Sequence, residues 1–218
     1  MNEVYTIGHS SYKQDYLFIL LNKHDINCVV DVRSMPFSKY APQYNRDEIK
    51  RFLHSKGIQY IFMGKELGAR REDNTLYESD GILSFEKTSK TMSFISGIER
   101  IKAGIEKGYR IAIMCTEKDP MDCHRNILVA RQLYKQKYDV LNILENGYTE
   151  SQDHLEKRLL DLYFPTRNQR TLFDLASMEF DDSALIEKAY DIRNKDIGFN
   201  INNEKEKIAV EDIYHRVY

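Results

Sequence analysis

Short apolar runs alternate along this chain with longer segments in which apolar residues recur at helical spacing. The runs predict buried strands because they are too short for helices and are bounded by polar or turn residues. They are Val4 to Ile7, Cys28 to Val32, Ile58 to Met63, Ile111 to Met114 and Val140 to Leu144. The segments between them predict amphipathic helices. Such alternation is typical of an α/β fold with a mainly parallel sheet flanked by helices.

The stretch from Arg110 to Leu133 carries the strongest chemical signal. Its apolar run ends at Cys115, Pro120 interrupts the chain, and Asp122 is placed to cap a following helix. The segment Cys123-His124-Arg125 then falls on the first turn of that helix. A helix N-terminus favours anions, so we expect a lowered thiol pKa, an exposed Cys123 and an attraction for phosphate or carboxylate.

Three further helix starts are predicted from capping-box spacing. The pairs are Ser11 with Gln14, Asn45 with Glu48, and Thr149 with Gln152. The segment from Gly64 to Gly81 shows no periodicity and predicts a long surface loop that acts as a lid.

The composition changes after Pro165. Residues 1–165 predict an α/β domain, and residues 166–218 predict an acidic helical extension at the C-terminal end, with weak helical spacing around Leu185, Ile186 and Tyr190.

Composition and charge limit the classes of function. The 218 residues are 42% hydrophobic and carry a formal net charge of −2, so contact with phosphate or nucleic acid requires a local basic patch. No apolar run reaches about 18 residues and no signal-peptide pattern is present, so we expect no membrane association and a cytoplasmic location. The three cysteines are an odd number, which predicts free thiols unless they bind a metal.

Ligands of open α/β sheets bind beyond the carboxyl ends of the strands, so the residues that follow each strand are the candidates for a site. The candidate catalytic residues are His9, Asp31, Cys115, Glu117 and Cys123. The candidate substrate-binding residues are Ser10, Arg33, Ser38, Lys65, Arg70, His124 and Arg125. We expect six of them to surround one pocket at this edge of the sheet: His9, Asp31, Arg33, Cys115, Glu117 and Arg125.

Five motifs occur in an order that resembles a known family. They are Thr6-Ile7-Gly8-His9-Ser10, Asp31-Val32-Arg33 with Pro36 and Ser38, Leu67-Gly68 with Arg70, Cys115-x-Glu117, and Cys123-His124-Arg125. Together they resemble the domain of unknown function 488 family over about Thr6 to Gly147. The resemblance implies an α/β fold with a site built from these motifs. Where the resemblance leads us to expect a second glycine in the loop after Leu67-Gly68, the chain has Ala69.

Three classes of function fit these residues. The first is an enzyme acting on a phosphate-bearing substrate, a nucleotide or nucleic acid, with a Cys/His/Glu/Arg site. The second is a metal or redox protein that uses Cys115, Cys123 and a histidine, His9 or His124. Seven residues separate the two cysteines, a spacing that disfavours a structural zinc site and a thioredoxin-like pair. The third is a noncatalytic nucleotide or nucleic-acid binder, with Lys65, Arg70, Arg71, Tyr40 and Tyr44 giving charge and stacking.

Overall fold

A computed structural model describes residues 2–167 and 182–203 of the chain. The strands are β1 (Glu3–Gly8), β2 (Cys28–Asp31), β3 (Gln59–Phe62), β4 (Ile111–Cys115), β5 (Asp139–Ile143) and β6 (Thr149–Ser151). The α-helices are α1 (Gln14–Lys23), α2 (Arg46–Ser55), α3 (Gly64–Leu67), α4 (Phe85–Ser89), α5 (Met92–Glu106), α6 (Arg131–Lys135), α7 (Gln152–Tyr163) and α8 (Asp182–Ile197). A π-helical segment, Arg125–Ala130, leads directly into α6.

The six strands form one sheet in the order β3-β2-β4-β1-β5-β6, in which β6 alone runs antiparallel to its neighbour. This arrangement confirms the predicted α/β fold with a mainly parallel sheet. Strand β4 lies between β1 and β2, in register from Cys28 beside Ile111 to Asp31 beside Met114. The carboxyl ends of these three strands therefore lie side by side.

Two apolar layers cover the sheet because successive side chains of a strand point to opposite faces. Along β4, Ile113 and Cys115 belong to the core beneath α5, α6, α7 and α8, whereas Ala112 and Met114 belong to the core beneath α1 and α2. The connection leaving β4 thus packs on one face, and those leaving β1 and β2 pack on the other. Such a reversal opens a crevice at the strand ends, where ligands of α/β proteins bind.

The predicted capping boxes are wrong in their details. Helix α1 begins after Lys13 without a side-chain cap, and the cap of α7 is Ser151, whose hydroxyl accepts from the backbone N–H of His154, while Thr149 lies in β6. Asn45 does precede α2, but its side chain accepts instead from the N–H of Ser38.

The predicted long lid between Gly64 and Gly81 is also wrong. This segment contains α3 and a 3₁₀ turn at Asn74–Leu76, and the buried Leu67, Leu76 and Tyr77 fix it to the core. Burial of these apolar side chains outweighs the lack of sequence periodicity.

The described part of the C-terminal extension packs against the α/β core. Helix α8 contacts α7, and its buried Ala189 and Tyr190 join the core that covers the α5 face. Residues 168–181 and 204–218 of the predicted extension lie outside the described residues. Across the described ranges, no helix combines the length and the apolar character needed to cross a bilayer.

Candidate active site at the carboxyl edge of the sheet

A cluster of two thiols, one carboxyl group and one imidazole lies at the end of β4. The Sγ atom of Cys123 is 2.9 Å from Oε2 of Glu117, and that of Cys115 is 3.4 Å from the same oxygen. Nδ1 of His124 lies 3.7 Å from Sγ of Cys115. We call these four residues the thiol cluster.

Both thiols of this cluster are buried, Cys123 with 1% and Cys115 with 4% of its surface exposed. The predicted exposure of Cys123 is therefore wrong: the residue lies just before the helix, in extended conformation, and packs into the α5-side core. Glu117 is exposed and His124 is half-buried. Solvent and ligands thus reach the cluster from the side of Glu117 and His124.

The ionisation of the thiol cluster favours a thiolate at Cys123. Burial raises the pKa of Cys123, but the hydrogen bond from Cys115 and the charges of Arg125 and His124 outweigh it, so the net shift is downward. The hydrogen bond to Cys123 and burial raise the pKa of Cys115, which stays protonated. Glu117 is exposed as a residue, but its carboxyl group lies against the buried Cys123 thiol, and the desolvation there together with the charge of Cys123 raises its pKa to about 7. The shifts thus favour the thiolate at Cys123 over one at Cys115, and near neutral pH Glu117 holds a proton for part of the time.

A backbone contact fixes the orientation of His124. Its Nε2 lies 3.0 Å from the carbonyl oxygen of Val32 and donates a proton to it, which turns Nδ1 toward the thiols. Burial lowers the pKa of His124, but the hydrogen bond and charge of Cys123 reverse this effect and the net shift is upward.

Arg125 holds the loop that carries Glu117. Its guanidinium is fully buried and donates to the carbonyl oxygens of Glu117 at 2.6 Å and Lys118 at 3.0 Å. Both contacts are charge-assisted hydrogen bonds to backbone. The structure therefore gives Arg125 a loop-holding contact, where the sequence had suggested contact with an anion. Asp122 does not cap the helix: it lies in the 3₁₀ turn Pro120–Asp122 and pairs with Arg193 on α8.

A second polar group lies on the opposite face of the same edge. Arg33 forms a buried ion pair with Asp31 at 2.6 Å and donates to Nε2 of His9 at 3.0 Å. The ring of His9 stacks on Tyr44 with centroids 4.0 Å apart, and the hydroxyl of Tyr60 donates to Asp31 at 2.7 Å. Burial and the charge of Arg33 lower the pKa of His9 to about 4, so this imidazole is neutral at physiological pH.

The six residues expected around one pocket thus form two adjoining groups. Cys115 points to the same face of the sheet as Ile113, toward α5 and α6. His9 points to the same face as Ile7, toward α1 and α2. The two groups meet through backbone, since the N–H of His9 donates to the carbonyl of Cys115 at 2.9 Å. All six residues lie at or just beyond the carboxyl ends of the strands at this edge; that they surround a single pocket stays a prediction.

The other predicted substrate-binding residues are distributed along this edge. The hydroxyl of Ser38 accepts from two backbone N–H groups of its own turn, and the carbonyl of Ser10 accepts from Nδ1 of His9. Lys65 and Arg70 line a cleft beyond β2 and β3. Of the two tyrosines suggested for stacking, Tyr40 is 99% exposed, but Tyr44 is buried and cannot contact a ligand by its ring face.

Several residues that shape the site were not among the predicted site residues. Gly8 lets the Glu117 loop approach β1, because a Cβ atom at this position would lie 1.8 Å from the carbonyl oxygen of Glu117. Asn126, in the π-helical segment, exchanges side-chain hydrogen bonds with Gln152 of α7, at 2.9 and 3.0 Å. Only Gly8 had a local signal, as a glycine directly after a strand.

A comparison with protein-family models identifies residues 13–132, more than half of the chain, as matching the model described as Domain of unknown function DUF488. The chain belongs to this family. The thiol cluster lies wholly within the matched range, and the His9 motif lies just before it. No curated protein and no solved structure matches the chain in the corresponding comparisons.

Proposed function

We propose that this DUF488 protein is a thiol-dependent enzyme that acts on a phosphate-bearing substrate, a nucleotide or nucleic acid. The observation that carries the proposal is the 2.9 Å contact between Sγ of Cys123 and Oε2 of Glu117. It pairs a thiol of lowered pKa with a carboxyl group whose pKa is about 7. Adjacent groups whose pKa values are shifted in this way are typical of a nucleophile and its acid–base partner.

The pair can transfer a phosphoryl group in two balanced steps. The Cys123 thiolate forms a bond to phosphorus as the bond to the leaving oxygen breaks, and protonated Glu117 gives its proton to that oxygen. Water then attacks phosphorus and loses a proton to the Glu117 carboxylate as the sulfur–phosphorus bond breaks. Cys115 supports the thiolate by donating a hydrogen bond, and His124 supports it by its charge.

Two features support the choice of substrate and location. Lys65 and Arg70 lie at the same edge of the sheet, beyond β2 and β3, where they can attract an anionic group. The proposal requires reduced thiols, and all three cysteines are free, which suits a reducing compartment such as the cytoplasm.

A second candidate function, metal binding, rests on a separate observation. The ligand atoms of Cys115, Cys123 and His124 all lie within 4.8 Å of one another, so the cluster can hold a metal ion. Tetrahedral zinc places sulfur and nitrogen ligands about 3.6 Å apart, close to the 3.7 Å between Cys115 and His124. The hydrogen bond from His124 to Val32 is the kind of contact that orients a metal-binding histidine.

Timed alkylation with iodoacetamide, followed by mass mapping of the three cysteines, separates these candidates. For a thiol enzyme we expect Cys123 to react before Cys115 and well before Cys28, whose pKa burial raises to about 11 and which serves as the internal control. For a metal site we expect Cys115 and Cys123 to be protected until a chelator is added, with near-stoichiometric zinc in the purified protein.

Equal, slow reaction of Cys115 and Cys123 in metal-free protein would overturn both candidates. It would leave a noncatalytic binding module as the remaining hypothesis. Glu117→Gln tests the acid–base partner: it should retain the alkylation of Cys123 but lose turnover of a phosphate-bearing substrate.

A further inference from the structure

A cleft of about 780 Å³ lies at the carboxyl edge beyond β2 and β3, beside the thiol cluster. Its lining includes Ser34, Lys65, Arg70, Arg71, Tyr77 and Phe199. Ser34, which lines the cleft, comes two residues after Val32, whose carbonyl oxygen accepts a hydrogen bond from His124. Residues 32–34 therefore lie between the cleft and the thiol cluster. The volume falls in the range of small-molecule sites, about 300–1,000 Å³.

Arg71 gives this cleft an uncompensated cation. Its Nη1 and Nη2 atoms donate to the carbonyls of Lys65 at 2.8 Å and Glu66 at 2.5 Å, while its Nε is buried without a hydrogen-bond partner. Within the described ranges, Arg71 forms no ion pair, and Glu66 pairs instead with Arg100. A half-buried guanidinium that lacks a carboxylate partner is costly, and a bound anion would relieve that cost.

Two further cations stand beside Arg71. Lys65 is exposed on α3, and Arg70 is exposed at the mouth of the same cleft. The acidic residues of the lining, Glu72 and Asp73, are both exposed, and Asp73 accepts from Thr75 in its own turn. The buried charge of the cleft is therefore positive.

The opposite wall is aromatic and belongs to the C-terminal extension. The carbonyl of Phe199 accepts from the N–H of Leu83 at 2.9 Å, and the N–H of Ile201 donates to the carbonyl of Gly81 at 3.0 Å. The guanidinium of Arg70 lies 4.6 Å from the centroid of the Phe199 ring. These contacts hold the Phe199 ring at the cleft, with the guanidinium of Arg70 over one of its faces. Phe199 lies outside the family match at residues 13–132.

We propose that this cleft binds a nucleoside phosphate, with the phosphate at Arg71, Lys65 and Arg70 and the base against Phe199. The positive charge of the three side chains attracts a phosphate, and a base stacks on an aromatic ring without needing a specific pattern of hydrogen bonds. The inference goes beyond the proposed function, because it assigns a second ligand site across residues 32–34 from the thiol cluster.

Isothermal titration tests the inference, with AMP, CMP, GMP, UMP, adenosine and pyrophosphate as probes. Nucleoside monophosphates should bind more tightly than adenosine or pyrophosphate, since each of those supplies only one of the two contacts. Phe199→Leu should weaken nucleotide binding about tenfold and leave pyrophosphate binding unchanged. Lys65→Gln should weaken both, and the control Lys107→Gln, exposed at the far end of α5, should change neither.

Failure of every nucleotide to bind at millimolar concentration, or equal binding by wild type and Phe199→Leu, would overturn the inference. The same titration with Cys123→Ser separates it from the proposed function. If this variant still binds nucleotides, the binding site in the cleft is supported, even if Cys123 of the wild type does not react with iodoacetamide. Loss of binding in the folded variant would overturn the placement of the ligand in a cleft that excludes Cys123.

Discussion

Replacing Gly8 by alanine should disrupt the thiol cluster from the neighbouring strand β1. The new Cβ would lie 1.8 Å from the carbonyl oxygen of Glu117, and contacts under 3.0 Å are essentially never observed. The Glu117 loop must therefore retreat by at least 1.2 Å. The register of Gly8 beside Cys115 prevents β1 itself from absorbing this shift.

The cost can be worked out from the contacts that the shift breaks. Forcing an extra methyl into a packed region costs about 1–3 kcal/mol. The 2.6 Å hydrogen bond from Arg125 to the Glu117 carbonyl would lengthen beyond hydrogen-bonding distance; its loss adds about 1.5–3 kcal/mol. We therefore expect unfolding free energy to fall by roughly 3–5 kcal/mol and Tm by roughly 10 °C.

Urea denaturation and thermal unfolding followed by circular dichroism measure this change. Gly104→Ala is the matched control, because its Cβ would meet only the terminal methyl of Ile111, and alanine favours a helix by about 1 kcal/mol. This control should stay within about 1 kcal/mol of wild type. If Gly8→Ala did the same, the close approach of the two backbones would not be what requires a glycine.

Three other predictions follow from the buried polar groups. The lowered pKa of His9 means that the unfolded chain binds its proton more readily, so stability should fall by about 3 kcal/mol as pH drops from 6.5 to 4; His9→Gln should reduce this slope in urea titrations, and an unchanged slope would contradict the assignment. Glu117 gives up its proton as pH rises through about 7, so turnover of a phosphate-bearing substrate, which needs that proton on the leaving oxygen, should fall above pH 7 while alkylation of Cys123 does not; turnover that stays level from pH 6 to pH 8 would contradict this role. Gln152→Leu leaves the buried amide of Asn126 short of a partner and should cost about 1–3 kcal/mol by urea denaturation; a neutral result would show that water replaces the lost contact.

The sequence by itself determined the elements and the edge at which the chemistry gathers. Apolar runs located β1 to β5 closely. In β1, β2 and β4 the run is almost continuous because these strands are buried on both faces of the sheet. The short β6 carries only one buried residue, Glu150, and so left no such run. The sequence also predicted that three site residues lie on one edge, because the carboxyl ends of parallel strands meet at the same edge of a sheet. These residues, at or just after strand ends, are His9, Asp31 and Cys115.

Only the tertiary structure decided which of these residues share a site. Strand β4 inserts between β1 and β2 through long connections, and no local pattern encodes that neighbour relation. The structure also showed that Arg125 is fully buried on backbone carbonyls, a role that depends on where the Glu117 loop folds. Phe199 reaches the cleft of Arg71 from well over a hundred residues away in the chain. Contacts between residues so far apart in the chain depend on how α8 packs, and the sequence predicts this helix only weakly.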